Sequence, residues 1–336
     1  MFGAELSELF MFGRQLGLAL AGATSLWGAV FLYKSQRVAN AEQAAAYRRV
    51  AARLFLPFWG GMAVALASWI GLLSATALAH EGIGVVPTHV ERLAAVPFTA
   101  TPFFVFFGSA LLLFVALRLA PQVWRTKAYF SFFVAALAVV LFLISFPAWT
   151  GQFDRTQLFY IGHSAHSIFT LGTVITLDFL FVVSHRSSLL KQHIYPHFRS
   201  ISKVIWVGLG IDFLSVALVF GDAIALTPKF FFMQTVVGIL IINGVILGGP
   251  IGEKLLRTVK SGARDLAGRW ATAASISGTI SITSWTTITF VDSFEHLTFG
   301  YGEFLLGYAG WFLVLFAGHF VWEQMEKRRG EGEHAL

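Results

Sequence analysis

Two histidines spaced three residues apart, His163 and His166, lie within a long apolar run of this 336-residue chain. Residues three apart share one face of a helix, so both imidazoles project from the same side. Three interpretations stay open. One imidazole could be an axial ligand of haem iron, the pair could chelate a divalent ion such as Zn²⁺ or Mn²⁺, or both could be hydrogen-bonded without a ligand.

Carboxylates and a further histidine extend the possible ligand set. Asp292, Glu295 and His296 cluster where a later apolar run ends. Imidazole and carboxylate groups suit Zn²⁺ and Mn²⁺, so the predicted metal ligands are His163 and these three residues.

Two acidic residues lie deeper within their apolar runs. Asp178 follows the histidine pair, and Asp212 lies near the middle of the next run. A carboxylate at such a depth needs a partner, a proton or a bound ion. Asp178 and Asp212 therefore define an alternative hypothesis, in which the protein provides a path for protons or small ions. By contrast, we expect His185, His193 and His197 to be solvated in a basic loop.

The composition is that of a membrane protein. Hydrophobic residues make up 56% of the chain, charged residues make up 12%, and the mean hydropathy is +0.71. Too few polar residues remain to cover a water-soluble globule of this length. Cysteine is absent, which excludes disulfides, thiolate metal ligands, iron–sulfur clusters and covalently attached c-type haem.

Apolar runs long enough to cross a bilayer as helices recur along the chain. They lie near 9–33, 53–79, 98–117, 128–149, 157–183, 204–221, 230–249, 271–291 and 303–322. Continuous runs favour helices over the alternating strands of a barrel. The sequence therefore predicts an all-α, polytopic membrane helix bundle with nine transmembrane helices.

Basic residues predict the orientation of this bundle. Twenty of the twenty-four Lys and Arg residues fall in five segments that alternate with the runs, namely 34–53, 118–127, 186–203, 254–269 and 327–329. Positively charged loops stay on the cytoplasmic side, so we expect the N-terminus outside and the C-terminus inside. The predicted location is the cell inner (cytoplasmic) membrane, and the net charge of +6 reflects topology rather than nucleic-acid binding.

Two stretches of sequence indicate an internal duplication. Residues 9–14 (LFMFGR) match 158–163 (LFYIGH), and residues 59–61 (WGG) match 206–208 (WVG). An even number of spans per unit gives parallel repeats, here two units of four helices followed by a ninth helix. The predicted division is a packing unit over 1–150, a unit with the site over 151–292, and the last helix and tail over 293–336.

The second unit resembles a four-helix membrane module over roughly 157–292. CopD-type copper-resistance proteins, HemJ-type protoporphyrinogen oxidases and PuuD-type urate oxidases share this module. The matching features are a histidine near the outer start of the first helix with a later glycine (His163 and Gly172), a histidine at that helix's inner end (His185), and a lysine opening the third helix (Lys229). The methionines and histidines expected for copper handling are missing from the chain.

The resemblance implies that haem b binds near the outer face. His163 would be the axial ligand, His166 or His296 would be the second, and Lys229 would pair with a propionate. The first functional hypothesis is therefore redox or electron transfer with a redox partner or membrane complex. The alternatives are transport of protons or small ions, including metals, and a structural membrane subunit in contact with the lipid bilayer.

Overall fold

The computed structural model describes residues 2–80, 122–145, 155–185, 197–219, 226–261, 269–294 and 297–333. Within these ranges the chain is helical and contains no strand. In chain order the α-helices are α1 (Phe2–Arg37), α2 (Ala41–His80), α3 (Gln122–Ser145), α4 (Arg155–Ser167), α5 (Thr173–His185), α6 (Phe198–Val219), α7 (Pro228–Ile246), α8 (Gly252–Lys260), α9 (Arg269–Ser293) and α10 (Tyr301–Glu333). A π-helical turn joins α4 to α5 (Ile168–Gly172), and another joins α7 to α8 (Leu247–Ile251).

Six stretches of the described helices are long and apolar enough to cross a membrane. They are Leu6–Arg37, Ala41–Ala75, Thr126–Ile144, Ser200–Ala217, Pro228–Thr258 and Tyr301–Val321. The predicted all-α fold is confirmed, and the chain is an integral membrane protein by the length and composition of these helices. The predicted run at 98–117 lies outside the described residues, so the total of nine spans stays a prediction.

The chain divides into two compact units. The first is Met1–Ile224 with Ser293–Glu295, and the second is Ala225–Asp292 with His296–Leu336. The three-part division at residues 150 and 292 stays a prediction.

In the first unit, α1 packs closely against α2 and α3. A Cβ atom at Gly17 would lie 2.5 Å from the carbonyl oxygen of Gly61 and 2.6 Å from the backbone nitrogen of Ala65. Small residues that let backbones approach in this way are typical of membrane helix pairs. At Gly17 the interface between α1 and α2 therefore has no room for a larger side chain.

Arg14 is buried in α1 and stabilises the end of α3. Its Nη2 donates a hydrogen bond to the carbonyl oxygen of Leu143 at 2.6 Å, and its guanidinium lies 5.0 Å from the ring centroid of Trp69. Carbonyl groups in the last turn of a helix have no partner within that helix. A cation is also favourable at this end of the helix dipole.

In the second unit, polar side chains of α9 bind neighbouring helices. Asn243 of α7 donates from Nδ2 to the carbonyl oxygen of Ser277 at 2.9 Å and accepts a hydrogen bond from its hydroxyl. Further contacts join α9 to α10 (Ser284 with Tyr308, and Thr286 with the indole of Trp311). These bonds favour helix packing over a polar pathway as the role of the α9 hydroxyls.

Candidate metal site

The candidate site lies where α4 meets α6. Residues 155–185 run without a break through α4, the π-helical turn and α5. A Cβ at Gly162 would meet Ser215, and a Cβ at Gly208 would meet Phe169, so α4 and α6 are antiparallel. Gly162 directly precedes His163, and Ser215 lies three residues after Asp212, so the contact between Gly162 and Ser215 brings the two side chains to nearly the same level.

Asp212 contacts both histidines through one carboxylate oxygen. Its Oδ1 lies 2.8 Å from Nδ1 of His163 and 3.5 Å from Nδ1 of His166. Nδ1 of His166 also contacts the backbone carbonyl oxygen of His163. We refer to His163, His166 and Asp212 as the His–His–Asp site.

The spacing of this site suits a metal ion. One potential ligand atom from each of the three residues lies within 4.8 Å of the other two. An ion bound at about 2.1 Å requires adjacent ligands roughly 3.0 Å apart in octahedral geometry and roughly 3.4 Å apart in tetrahedral geometry. The separations from Oδ1 of Asp212 to Nδ1 of His163 (2.8 Å) and to Nδ1 of His166 (3.5 Å) lie just below and just above these values, and the shorter one is also a hydrogen-bond distance.

The site is partly enclosed and still reachable. The side chains of His163 and Asp212 are each 20% exposed, whereas the side chain of His166 is 9% exposed. Phe159 stacks on the ring of His163 with the centroids 5.2 Å apart. The apolar ring of Phe159 therefore covers one side of the site.

The π-helical turn follows the site directly and packs against α1. A Cβ at Gly172 would lie 2.1 Å from the carbonyl oxygen of Ala19, and the indole nitrogen of Trp27 lies 3.4 Å from Oγ1 of Thr173. On the site side, the Thr170 hydroxyl donates to the carbonyl oxygen of His166 at 2.9 Å. Single π-helical turns occur frequently at functional sites.

The other predicted ligands belong to the second unit or lie outside the described residues. Lys229 and Asp292 belong to the second unit. Glu295 and His296 lie outside the described residues. Asp178 lies on α5, and no side chain within the described ranges hydrogen-bonds to its carboxylate. Sequence reasoning found the two histidines and Asp212 separately but placed Asp212 on an ion path.

The sequence did not indicate the hydrogen bonds of His197, which lies just before α6. Its Nδ1 lies 2.8 Å from Nζ of Lys34, and its Nε2 lies 2.8 Å from the hydroxyl of Tyr47. His197 is therefore hydrogen-bonded to α1 and α2, and the expectation that this histidine is solvated in a basic loop was wrong. His193 lies outside the described residues.

No protein-family model matches this chain, and no curated protein or solved structure matches it either.

Proposed function

We propose that this integral membrane protein binds one divalent first-row transition-metal ion at the His–His–Asp site. The observation that supports this most directly is the single carboxylate oxygen of Asp212 within 2.8 Å and 3.5 Å of two imidazole nitrogens. Two imidazoles and one carboxylate are the ligand types of Zn²⁺, Mn²⁺ and Fe²⁺ sites. Ca²⁺ and Mg²⁺ prefer oxygen ligands only, so the site disfavours both.

Transport is the physiological role that we propose for this binding. The candidate span Ser200–Ala217 contains Asp212, so an ion must leave bulk water to reach it. Ionisable residues at such depth mark ion pathways in many membrane proteins. A site with one buried and two partly exposed ligands holds the ion and can release it.

Titration of Co²⁺ into the metal-depleted, detergent-purified protein tests the binding. We expect visible ligand-field bands that saturate at one equivalent, and at least about tenfold weaker binding in Asp212→Asn, since losses of this size follow even from changes to groups around a metal ligand. Asp178→Asn is the matched control, because it makes the same change outside the site. Equal affinities in the parent and Asp212→Asn would contradict the proposal.

Haem b is the second candidate, and one contact favours it. A haem-ligating histidine usually donates its other ring N–H to a carboxylate or a carbonyl, which fixes the ring and strengthens the ligand. The 2.8 Å contact between Nδ1 of His163 and Asp212 has this form. His163 would be the axial ligand, and the bound haem would supply one-electron redox chemistry for electron transfer.

The absorption spectrum separates the two candidates. Haem would give a Soret band, with sharpened α and β bands on dithionite reduction, that His163→Ala abolishes. Colourless protein from haem-sufficient cells excludes the second candidate and leaves the divalent ion.

We also propose the parallel duplication, because two helix pairs share their close contacts. In each pair, one glycine contacts a serine and another glycine contacts a residue of the facing helix. The residues that make these contacts occupy equivalent positions in the two pairs. The equivalent contacts are Gly13–Ser68 with Gly162–Ser215, and Gly61–Leu20 with Gly208–Phe169. In the alignment that these contacts define, Gly17 and Ala65 correspond to His166 and Asp212.

A further inference from the structure

Two glycine contacts join α6 to α4 and to the π-helical turn that follows α4, on either side of the His–His–Asp site. A Cβ at Gly162 would lie 2.1 Å from Oγ of Ser215, and a Cβ at Gly208 would lie 2.8 Å from Cβ of Phe169. Side chains do not approach this closely. At this helix separation Gly208 therefore requires glycine, and a Cβ at Gly162 would force the Ser215 side chain to shift.

Both contacts lie within about one helical turn of the ligands. Gly162 directly precedes His163, whereas Ser215 follows Asp212 by three residues and Gly208 precedes it by four. One turn of helix is 3.6 residues. Any change in helix separation at these contacts therefore changes the distance between the ligand atoms of the two helices by nearly the same amount.

The α1–α2 pair has the same arrangement of close glycine contacts but no potential metal ligands between them. A Cβ at Gly13 would lie 2.3 Å from Oγ of Ser68, which repeats the contact between Gly162 and Ser215. Between its glycine contacts this pair has Gly17, where a Cβ would meet backbone atoms at 2.5 Å. These glycine contacts therefore serve helix packing in both pairs. Whether a pair can bind an ion depends on which side chains lie between its contacts.

We infer that Gly162 and Gly208 are positioning residues for the metal site. They set the helix separation at which Asp212 reaches both histidines, and this separation selects small first-row ions over larger ones. The inference rests on the metal binding proposed above. It adds that ion selectivity is set by helix spacing, through residues that never touch the ion.

Engineered cysteines test the spacing without any metal. The Cβ position at Gly162 lies 3.3 Å from Cβ of Ser215, just below the range of about 3.5–4.5 Å found in disulfides. Because the chain has no cysteine, the double variant Gly162→Cys/Ser215→Cys should form one clean crosslink under mild oxidation. Gly162→Cys/Gly210→Cys is the negative control, since Gly210 faces open space. A Gly162–Ser215 pair that stays reduced would contradict the inference.

Metal affinity tests the positioning role. Gly162→Ala should weaken Zn²⁺ binding at least about tenfold and reduce the preference for Zn²⁺ over the larger Cd²⁺. The double variant Gly162→Ala/Ser215→Gly lacks the clashing serine side chain, so it should restore both the Zn²⁺ affinity and the preference for Zn²⁺ over Cd²⁺. Gly13→Ala makes the equivalent clash with Ser68 and should lower thermal stability without changing either value. Gly210→Ala, on the same helix as Asp212, should change neither stability nor binding by a measurable amount.

The outcomes separate this inference from the proposed function. If the parent protein binds no divalent ion, the proposed function is wrong and the positioning role falls with it. If the parent binds Zn²⁺ and Gly162→Ala binds it with the same affinity and selectivity, only the positioning role is wrong. Loss of binding in both Gly162→Ala and Gly13→Ala would also overturn it, because the effect would then be one of general stability.

Discussion

Nδ1 of His163 lies 2.8 Å from Oδ1 of Asp212, although 49 positions separate the two residues in the chain. Each side chain is ionisable and lies within an apolar helix, where isolated charges are costly. The contact lets each group satisfy the other. It also joins α4 to α6 at the level where His166 is within 3.5 Å of the same oxygen.

The first prediction concerns ion flux. Proteoliposomes with the parent protein should accumulate Zn²⁺ or Mn²⁺ down an imposed gradient, and Asp212→Asn should abolish the uptake because the carboxylate ligand is lost. Asp178→Asn should retain uptake. Flux that Asp178→Asn abolishes and Asp212→Asn preserves would favour a path through α5 instead.

Much of the fold could be predicted from the sequence, because continuous apolar runs give helices wherever the membrane is the solvent. The spacing of His163 and His166 likewise predicted one shared face. The pairing with Asp212 could not be predicted in this way, since it depends on which helices are neighbours and in what register. One usable signal was present. Gly162 and Gly208 are small residues within one turn of the polar residues, and membrane helices approach closely at such positions.

The second prediction concerns Arg14. Arg14→Lys should lower the free energy of unfolding by about 1–3 kcal/mol, because lysine keeps the buried charge and loses the planar contact with Trp69 and the bond to the Leu143 carbonyl. Thermal unfolding in detergent measures this. Arg49→Lys makes the same change at an exposed position of α2 and should be neutral. Equal stabilities of the two variants would refute the capping role of Arg14.

The third prediction concerns the bond between α7 and α9. A double-mutant cycle with Asn243→Ala and Ser277→Ala should give a coupling free energy of about 0.6 kcal/mol and no more than about 1.7 kcal/mol, the average and the maximum measured for hydrogen bonds between membrane helices. Both side chains are buried and bonded to each other. A coupling indistinguishable from zero would show that the contact does not contribute to stability.

The fourth prediction concerns orientation in the membrane. Because the chain has no native cysteine, single cysteines report their side directly. In spheroplasts, Glu5→Cys should react with an impermeant maleimide, and Arg328→Cys should react only after the membrane is opened, since basic segments stay in the cytoplasm. The reverse pattern would invert the predicted topology.

The metal content of the protein purified from cells grown with added Zn²⁺ and Mn²⁺ tests the central claim most directly. We predict about one transition-metal ion per chain by mass spectrometry of the digested protein, because the His–His–Asp site offers one set of three ligands. The double variant His163→Ala/His166→Ala, folded as judged by size-exclusion chromatography, should contain none. Metal-free parent protein, or equal metal content in the parent and the folded double variant, would contradict the account.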